Sequence, residues 1–137
     1  MPDDPRLTPL FEALADEGFR PRRLEDGAFV ISAFSTDLLV MLDPQDPEFL
    51  VVRSWHELDD VNPEAAEHAA NTVNSDVKVA KAGLEDGQLV LSAEFMFGSL
   101  EDALQSVSRA PRALDHALRT FRRALKPPQS VPPTVSA

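Results

Sequence analysis

The sequence contains no cysteine, and its glycines are few and scattered. Without cysteine the chain has no disulfide framework, no thiol nucleophile and no thiolate metal site. The 5 glycines never cluster into the loops that hold phosphate groups, so neither a P-loop nor a dinucleotide-binding fingerprint is present. These absences exclude several large classes of enzyme and redox protein, and we expect no cofactor.

Long apolar runs and an excess of positive charge are also missing. No apolar run approaches the roughly 20 residues that cross a bilayer, and the first residues lack the pattern of a secretory signal. Lys and Arg number 13 against 23 Asp and Glu, a formal net charge of −10, which repels phosphate backbones and anionic lipid headgroups. We therefore expect a cytoplasmic protein that binds neither nucleic acid directly nor a membrane.

The chain has the size and the hydrophobic content of one domain. With 137 residues, 43% of them hydrophobic, it can bury a substantial core. The segment 126–137 holds four of the 12 prolines and almost nothing to bury. We predict a single domain over residues 1–125 and a disordered proline-rich tail over residues 126–137.

The first half of the sequence predicts one helix followed by a meander of strands. The helix is expected within LTPLFEALADEGF, with Thr8 as its cap, Pro9 at the first helical position and Gly18 as its left-handed stop. Runs of apolar and β-branched residues separated by turn residues then indicate four short antiparallel strands. These are expected at Leu24 and at residues 29–34, 38–42 and 49–55.

The second half predicts a helix, a hairpin and a closing helix. Asn62-Pro63 is a helix start signal, and Ser99 with Asp102 is another. Pro111 should kink or split the closing helix, because its ring removes a backbone donor and crowds the preceding turn. The elements are expected at residues 62–74, 77–80, 89–97 and from 99 onward.

The segment 38–42 is apolar without a break. A strand points successive side chains to opposite faces of its sheet, so both faces of this strand are apolar. A sheet with helices on one side and water on the other normally alternates apolar and polar residues. The sequence therefore predicts a second apolar sheet face that something else must cover.

Three histidines are the only candidates for catalysis near neutral pH. His68 lies one helical turn after Glu64, but a carboxylate-bridged metal site needs a second such motif, so a solvated helix face is the favoured interpretation. His116 follows Asp115 directly, and neighbours on a helix point about 100° apart. His56 has no partner that the sequence identifies. We therefore predict neither a metal site nor an enzyme.

Two other motifs are explained by local structure. Gly98-Ser99 lacks the second glycine of a nucleophile elbow, so Ser99 is better explained as a helix cap. The acids Asp43, Asp46 and Glu48 lack the spacing and the central glycine of a calcium loop, and two prolines among them favour a tight turn.

A basic set of side chains lies in the closing helix. Cations late in a helix complement the negative end of its dipole, and this structural role is the favoured interpretation. The alternative is a patch that docks an acidic partner or, despite the net charge, a nucleic acid. The set comprises Arg109, Arg112, Arg119, Arg122, Arg123 and Lys126.

From Asn62 onward the sequence resembles the YbjN-like family, small bacterial proteins described as regulators of sensory transduction. The residues that carry the resemblance are Asn71-Thr72-Val73-Asn74, the segment VKVAK, the turn EDGQ, the strand LVLSAEFMF, Gly98 and the helix from Leu100. Upstream, a helix, GFRPRRLEDG, the meander and NPEAAEHAANTVN follow the same order. The resemblance covers roughly residues 5–125, excluding Pro111, and brings no catalytic residue with it.

The resemblance implies an α+β fold like that of type III secretion chaperones. An antiparallel β-sheet would carry helices mainly on one face, in the order α-β-β-β-α-β-β-α with room for extra strands. Proteins of this shape commonly form homodimers and bind segments of other proteins. Asn71 and Asn74 would have a structural role at the end of their helix.

The main hypothesis is therefore a non-enzymatic, chaperone-like binding module, a homodimer that holds a segment of a client protein on an apolar sheet surface or an open strand edge. The acidic composition would favour a basic client. The alternative is a regulatory domain that senses a small apolar molecule between helices and sheet, and a hydrolase using His56 or His68 is a third. The proposed dimer or client surface comprises Phe29, Ile31, Leu39, Met41, Phe49, Val51 and Trp55.

Overall fold

The structure is a computed structural model that describes residues 5–24 and 27–125. The predicted tail at 126–137, Lys126 of the basic set, and the turn residues at 25 and 26 lie outside the described residues. The elements are α1 (Leu7–Asp16), β1 (Arg22–Arg23), β2 (Phe29–Ala33), β3 (Thr36–Leu42), β4 (Phe49–Glu57), α2 (Pro63–Asp76), β5 (Ala80–Glu85), β6 (Gln88–Met96) and α3 (Leu100–Leu125).

The strands form one antiparallel sheet in the order β1-β2-β3-β4-β6-β5. This confirms the predicted α+β class, with the two-residue strand β1 added to the predicted order. The turn between β2 and β3 is tighter than expected, because Phe34 and Ser35 both have positive φ angles, 53° and 61°, and β3 already begins at Thr36. Two central residues of this kind are typical of hairpins whose twist matches the sheet.

The first strand of the β5–β6 hairpin lies closer to the turn than predicted. The expected turn at residues 85–87 is present, with positive φ angles at Asp86 and Gly87. The first strand of the hairpin runs from Ala80 to Glu85 instead of over residues 77–80. The tight turn fixes this register, since Glu85 pairs with Gln88 directly across it.

Helix ends follow their local signals at three of four predicted positions. The Asn62 side chain accepts from the Glu64 backbone N–H at 2.8 Å, and Ser99 Oγ accepts from the Asp102 N–H at 3.1 Å. Gly18, with φ 90°, ends α1. Thr8 is not the cap of α1, because the helix already begins at Leu7 and Arg6 holds the cap position without a side-chain bond. Thr8 Oγ1 instead accepts from Arg23 Nη2 at 3.2 Å.

The closing helix α3 is one 26-residue element with Pro111 inside it, so of the two predicted outcomes, a kink or a split, the split does not occur. Proline in a helix interior costs roughly 3 kcal/mol. Here the apolar stripe on both sides of Pro111 is buried against the same core, with Val107 before it and Leu114 after it. Packing along the whole stripe offsets the lost backbone bond.

All three helices contribute to a core on one face of the sheet. Six of the side chains of β2, β3 and β4 that point to this face are at most 2% exposed: Phe29, Ile31, Leu38, Val40, Leu50 and Val52. They form one cluster with Leu10 and Leu14 of α1, Val73 of α2, and Leu114 and Phe121 of α3. Burying each such side chain contributes about 1.5–3 kcal/mol.

Candidate docking surface on the open face of the sheet

The face of the sheet opposite the helices, here called the open face, carries a second apolar surface. Its side chains alternate with those of the core, and none of them belongs to the core cluster. The members are Val30, Leu39, Met41, Phe49, Val51, Arg53, Trp55, Val90, Ser92, Glu94 and Met96.

The strand register brings these residues together in rows. Leu39 lies opposite Arg53, and Arg53 lies opposite Ser92. One row further along, Val51 lies between its partners on the two neighbouring strands. Directly opposed side chains are about 4.5–5.5 Å apart at Cβ, so each row is a continuous surface.

Burial on the open face is graded from its centre to its rim. Val51 is 1% exposed and Val90 is 6% exposed, although no core residue packs over them. Trp55 and Met96 are 41% and 67% exposed. Large neighbouring side chains therefore shield the central valines and remain partly in water themselves, which is the arrangement of an apolar patch rather than of isolated exposed residues.

The structure divides the predicted surface residues between the two faces. Leu39, Met41, Phe49, Val51 and Trp55 all lie on the open face. Phe29 and Ile31 are corrected to core residues: both are 0% exposed and belong to the helix-side cluster.

The strand register explains the correction. Phe29 pairs with Val40 and Ile31 pairs with Leu38, so both point to the side opposite Leu39 and Met41. Sequence reasoning also missed Val30 as a surface member. Strand β6 did carry a sequence signal for its outer face, because the polar residues Ser92 and Glu94 alternate with its buried residues.

The two edges of the sheet are poorly suited to receive another strand. At one edge β1 has only two residues. At the other, the Asn74 side chain accepts from the Ala82 N–H at 2.7 Å and donates to the Ala82 carbonyl at 3.0 Å, which occupies the middle of β5. Asn74 thus has a structural role, and both edges are blunted in the way that hinders strand addition.

The open face also carries charge of both signs. Arg53 lies at its centre, half-buried, and its Nε is buried with no hydrogen-bond partner among the described residues. Glu94 projects from β6 and is 3.9 Å from Lys81 Nζ, in a pair that is largely exposed. An exposed pair of this kind contributes little to stability.

His56 packs on the helix side and contacts Ser54. Ser54 Oγ and His56 Nε2 are 2.9 Å apart, and Ser54 is fully buried. Burial, followed by the positive charge of Arg122, lowers the pKa of the His56 imidazole. The cavity beside them has a volume of about 10 Å³, room for about one water. The pair is best described as a part-buried hydrogen bond on the helix side of the sheet.

The remaining chemical candidates lie apart from one another. His68 and His116 are exposed, on α2 and α3. Within the part of the chain that the structure describes, no group of three or more His, Cys, Asp or Glu is placed to hold a metal ion. In the basic set, Arg119 pairs with Asp115 of the same helix at 3.2 Å.

A larger cavity, here called the end cavity, lies where α1 and α3 begin. It has a volume of about 450 Å³ and is lined mainly by apolar side chains. The Arg6 guanidinium lies 5.4 Å from the centre of the Phe97 ring at this site. The principal lining residues are Leu7, Leu10, Leu50, Phe97, Leu100 and Ala103, with Pro5, Arg6 and Ser99.

Comparison with known proteins identifies the architecture. No protein-family model and no curated protein matches the sequence. The crystal structure of YbjN from E. coli, a proposed transcription regulator, is similar with a TM-score of 0.61 and 17% identity, over 85% of this chain and 89% of that one. The chain has the fold of YbjN. The resemblance predicted from sequence is therefore confirmed at the level of the fold.

A second solved structure shares the YbjN fold. It is an uncharacterized protein from Methanothermobacter thermautotrophicus, with a TM-score of 0.58 and 11% identity, over 88% of this chain and 99% of that one. At 17% and 11% identity, these two similarities show the fold of the chain. Among the described residues, no helix is long and apolar enough to cross a bilayer.

Proposed function

We propose that this protein is a non-catalytic regulatory module that docks another polypeptide on the open face of its sheet. The observation that carries the proposal is the continuous apolar patch around Val51, outside the core and reaching the surface at Trp55 and Met96. Contiguous exposed apolar patches on soluble proteins usually mark interaction sites. Trp55 is the expected anchor, since tryptophan is enriched among the residues that dominate interface energies.

The sheet edges favour docking of a client across the open face over its addition as a strand at a sheet edge, and the overall charge favours a basic client. Both edges are blunted, at β1 and by Asn74, so a client segment would lie across the open face. The formal net charge of −10 would steer a basic client by long-range attraction. The docked polypeptide in this proposal is either a second copy of the chain or a segment of a client protein.

Photo-cross-linking from two exposed aromatic positions tests the proposal. Trp55 on the open face is 41% exposed, and Phe34 in the β2–β3 turn is 58% exposed. A photoreactive amino acid at position 55 is expected to form adducts with a polypeptide in the native cell, whereas the same group at position 34 is expected to form few. Gel mobility and mass spectrometry of the adducts give the readout.

The contrary result of the cross-linking experiment is equally clear. If position 55 yields no polypeptide adduct, either with a second copy or with another protein, the open face is not a docking surface.

Trp55 is the only tryptophan in the chain, so its fluorescence provides a second readout. Its emission should move to shorter wavelength when the face is covered, because the indole then leaves water.

The end cavity favours a second candidate function, sensing of a small apolar molecule. Its volume of about 450 Å³ lies within the range typical of ligand pockets, about 300–1,000 Å³. Native mass spectrometry of the purified protein should then show an added mass of small-molecule size. Leu100→Trp, which fills the cavity, should abolish this added mass, and Leu24→Trp, at an exposed site elsewhere, should not. A bare chain mass in the wild type would contradict the sensing function.

A further inference from the structure

Arg53 occupies an unusual position at the centre of the open face. It lies on β4 between Leu39 of β3 and Ser92 of β6, with Val51 and Trp55 two residues away on the same strand. The side chain is half-buried, and its Nε is buried without a hydrogen-bond partner in residues 5–24 and 27–125. None of the described residues forms an ion pair with its guanidinium.

A partly buried guanidinium of this kind is stabilised by an anionic partner. Arginine is always charged, and its planar group of donors matches a carboxylate in a two-point hydrogen bond. A partly buried charge that lacks a partner is unfavourable, so it is usually paired. The described part of the chain supplies no carboxylate to Arg53, so an anionic group on a polypeptide that covers the open face would satisfy it.

The open face itself presents a carboxylate close to Arg53. Glu94 lies opposite Val51, and Ser92, two residues earlier on β6, lies opposite Arg53. Arg53 and Glu94 are therefore diagonal neighbours on adjacent strands, one positive and one negative. On the β3 side the neighbouring residues are apolar, Leu39 and Met41, and on the β5 side Glu94 lies 3.9 Å from Lys81.

This arrangement is self-complementary. A two-fold axis that lies in the interface plane, midway between Arg53 and Glu94, would place each Arg53 against the partner subunit's Glu94. The same rotation would bring the two apolar patches together. A two-fold interface uses one surface patch twice, so each Arg53 would meet one Glu94 of the other copy although the whole chain carries −10. A second copy also carries −10, so the net charge does not favour it over another acidic partner; the reciprocal placement of Arg53 and Glu94 at the interface does.

We propose that the open face is the interface of a two-fold symmetric homodimer, held by apolar packing and by two reciprocal ion pairs between Arg53 and Glu94 of the partner subunit. This inference rests on the proposed function, because it names the polypeptide that the docking surface receives. It commits to a second copy of this chain as the occupant.

Charge reversal at the two positions tests the homodimer. The wild-type chain should sediment as a dimer, and Arg53→Glu or Glu94→Arg alone should weaken self-association by at least about tenfold, because each creates two like-charge contacts. An equimolar mixture of the two variants should restore dimers that contain one chain of each kind. In this mixed dimer, both contacts are again between opposite charges.

Matched controls separate this effect from net charge and from folding. Arg112→Glu and Glu67→Arg change the charge equally at exposed helix positions and should leave the dimer intact. Circular dichroism should show that all four variants are folded. If an Arg53 variant failed to fold, Arg53→Met removes the charge and keeps an apolar stem. Mixed with Glu94→Arg, it should form a dimer that keeps one Arg53–Glu94 ion pair and has no like-charge contact, so this mixed dimer should be more stable than the Glu94→Arg homodimer and less stable than the wild type.

Two results would overturn the inference. The first is a wild-type chain that stays monomeric at high concentration, and the second is a variant mixture that associates no better than either variant alone. If the wild type is monomeric and position 55 cross-links to another protein, the homodimer proposal is wrong and the proposed docking function stands. If position 55 forms no cross-links at all, both proposals are wrong.

Discussion

Replacing Val40 by aspartate is expected to unfold the protein, whereas the same replacement at Leu39 is expected to leave it folded. Val40 is 0% exposed and belongs to the helix-side core, where a carboxylate has no partner. Such a change costs at least about 4 kcal/mol, a large part of the about 5–15 kcal/mol by which small domains are stable. Leu39 points to the open face, where an aspartate remains in contact with water.

Far-ultraviolet circular dichroism and urea unfolding measure the difference between the two variants. Val40→Asp should lose the folded baseline at neutral pH or shift the midpoint strongly to lower urea. Leu39→Asp should lose no more than about 1 kcal/mol in free energy of unfolding, yet should weaken association through the open face. Equal destabilisation at the two positions would mean that both faces of β3 are enclosed, contrary to the structure.

The unbroken apolar run of β3 shows what the sequence could and could not predict. It correctly indicated that both faces of the strand are apolar, since a two-residue period leaves no other possibility. It could not indicate which face the helices cover, because no polar residue marks the outer side. Phe29 and Ile31 were therefore grouped with Leu39 and Met41, although the register of β2 against β3 places the two pairs on opposite faces.

Local signals were more reliable where one short stretch of chain determines the conformation. The caps at Asn62 and Ser99 and the turn at Asp86-Gly87 depend on side chains within three residues, and all are present in the structure. Pro111 behaves differently, because packing along the full length of α3 overrides the local tendency to break. Local chemistry thus predicts where elements start and turn, and packing decides whether they continue.

The central residue of the candidate interface could not be recognised from the sequence. Arg53 is one of 13 basic residues and follows an ordinary apolar run. Two properties of the assembled sheet make it significant: its Nε has no partner in the part of the chain that the structure describes, and Glu94 lies on a neighbouring strand about 40 residues later. Trp55 was identifiable earlier, because tryptophan on a strand is informative by residue type alone.

Phe29→Ala is expected to destabilise the protein by about 3–5 kcal/mol, the usual cost of removing a fully buried phenylalanine ring. The Phe29 side chain is 0% exposed and packs edge-on against Phe11, with ring centres 5.6 Å apart and planes at 85°. Its removal loses this contact and leaves a cavity between β2 and α1. A surface role for Phe29 would instead predict weaker association at nearly unchanged stability.

Phe34→Ala is the matched control, because Phe34 follows the same strand but is 58% exposed. It should change the free energy of unfolding by no more than about 0.5 kcal/mol. Urea unfolding of both variants at one fixed protein concentration provides the comparison, since dimerisation would make apparent stability depend on concentration. A loss at Phe29 as small as that at Phe34 would place Phe29 outside the core and reverse the assignment of the two sheet faces.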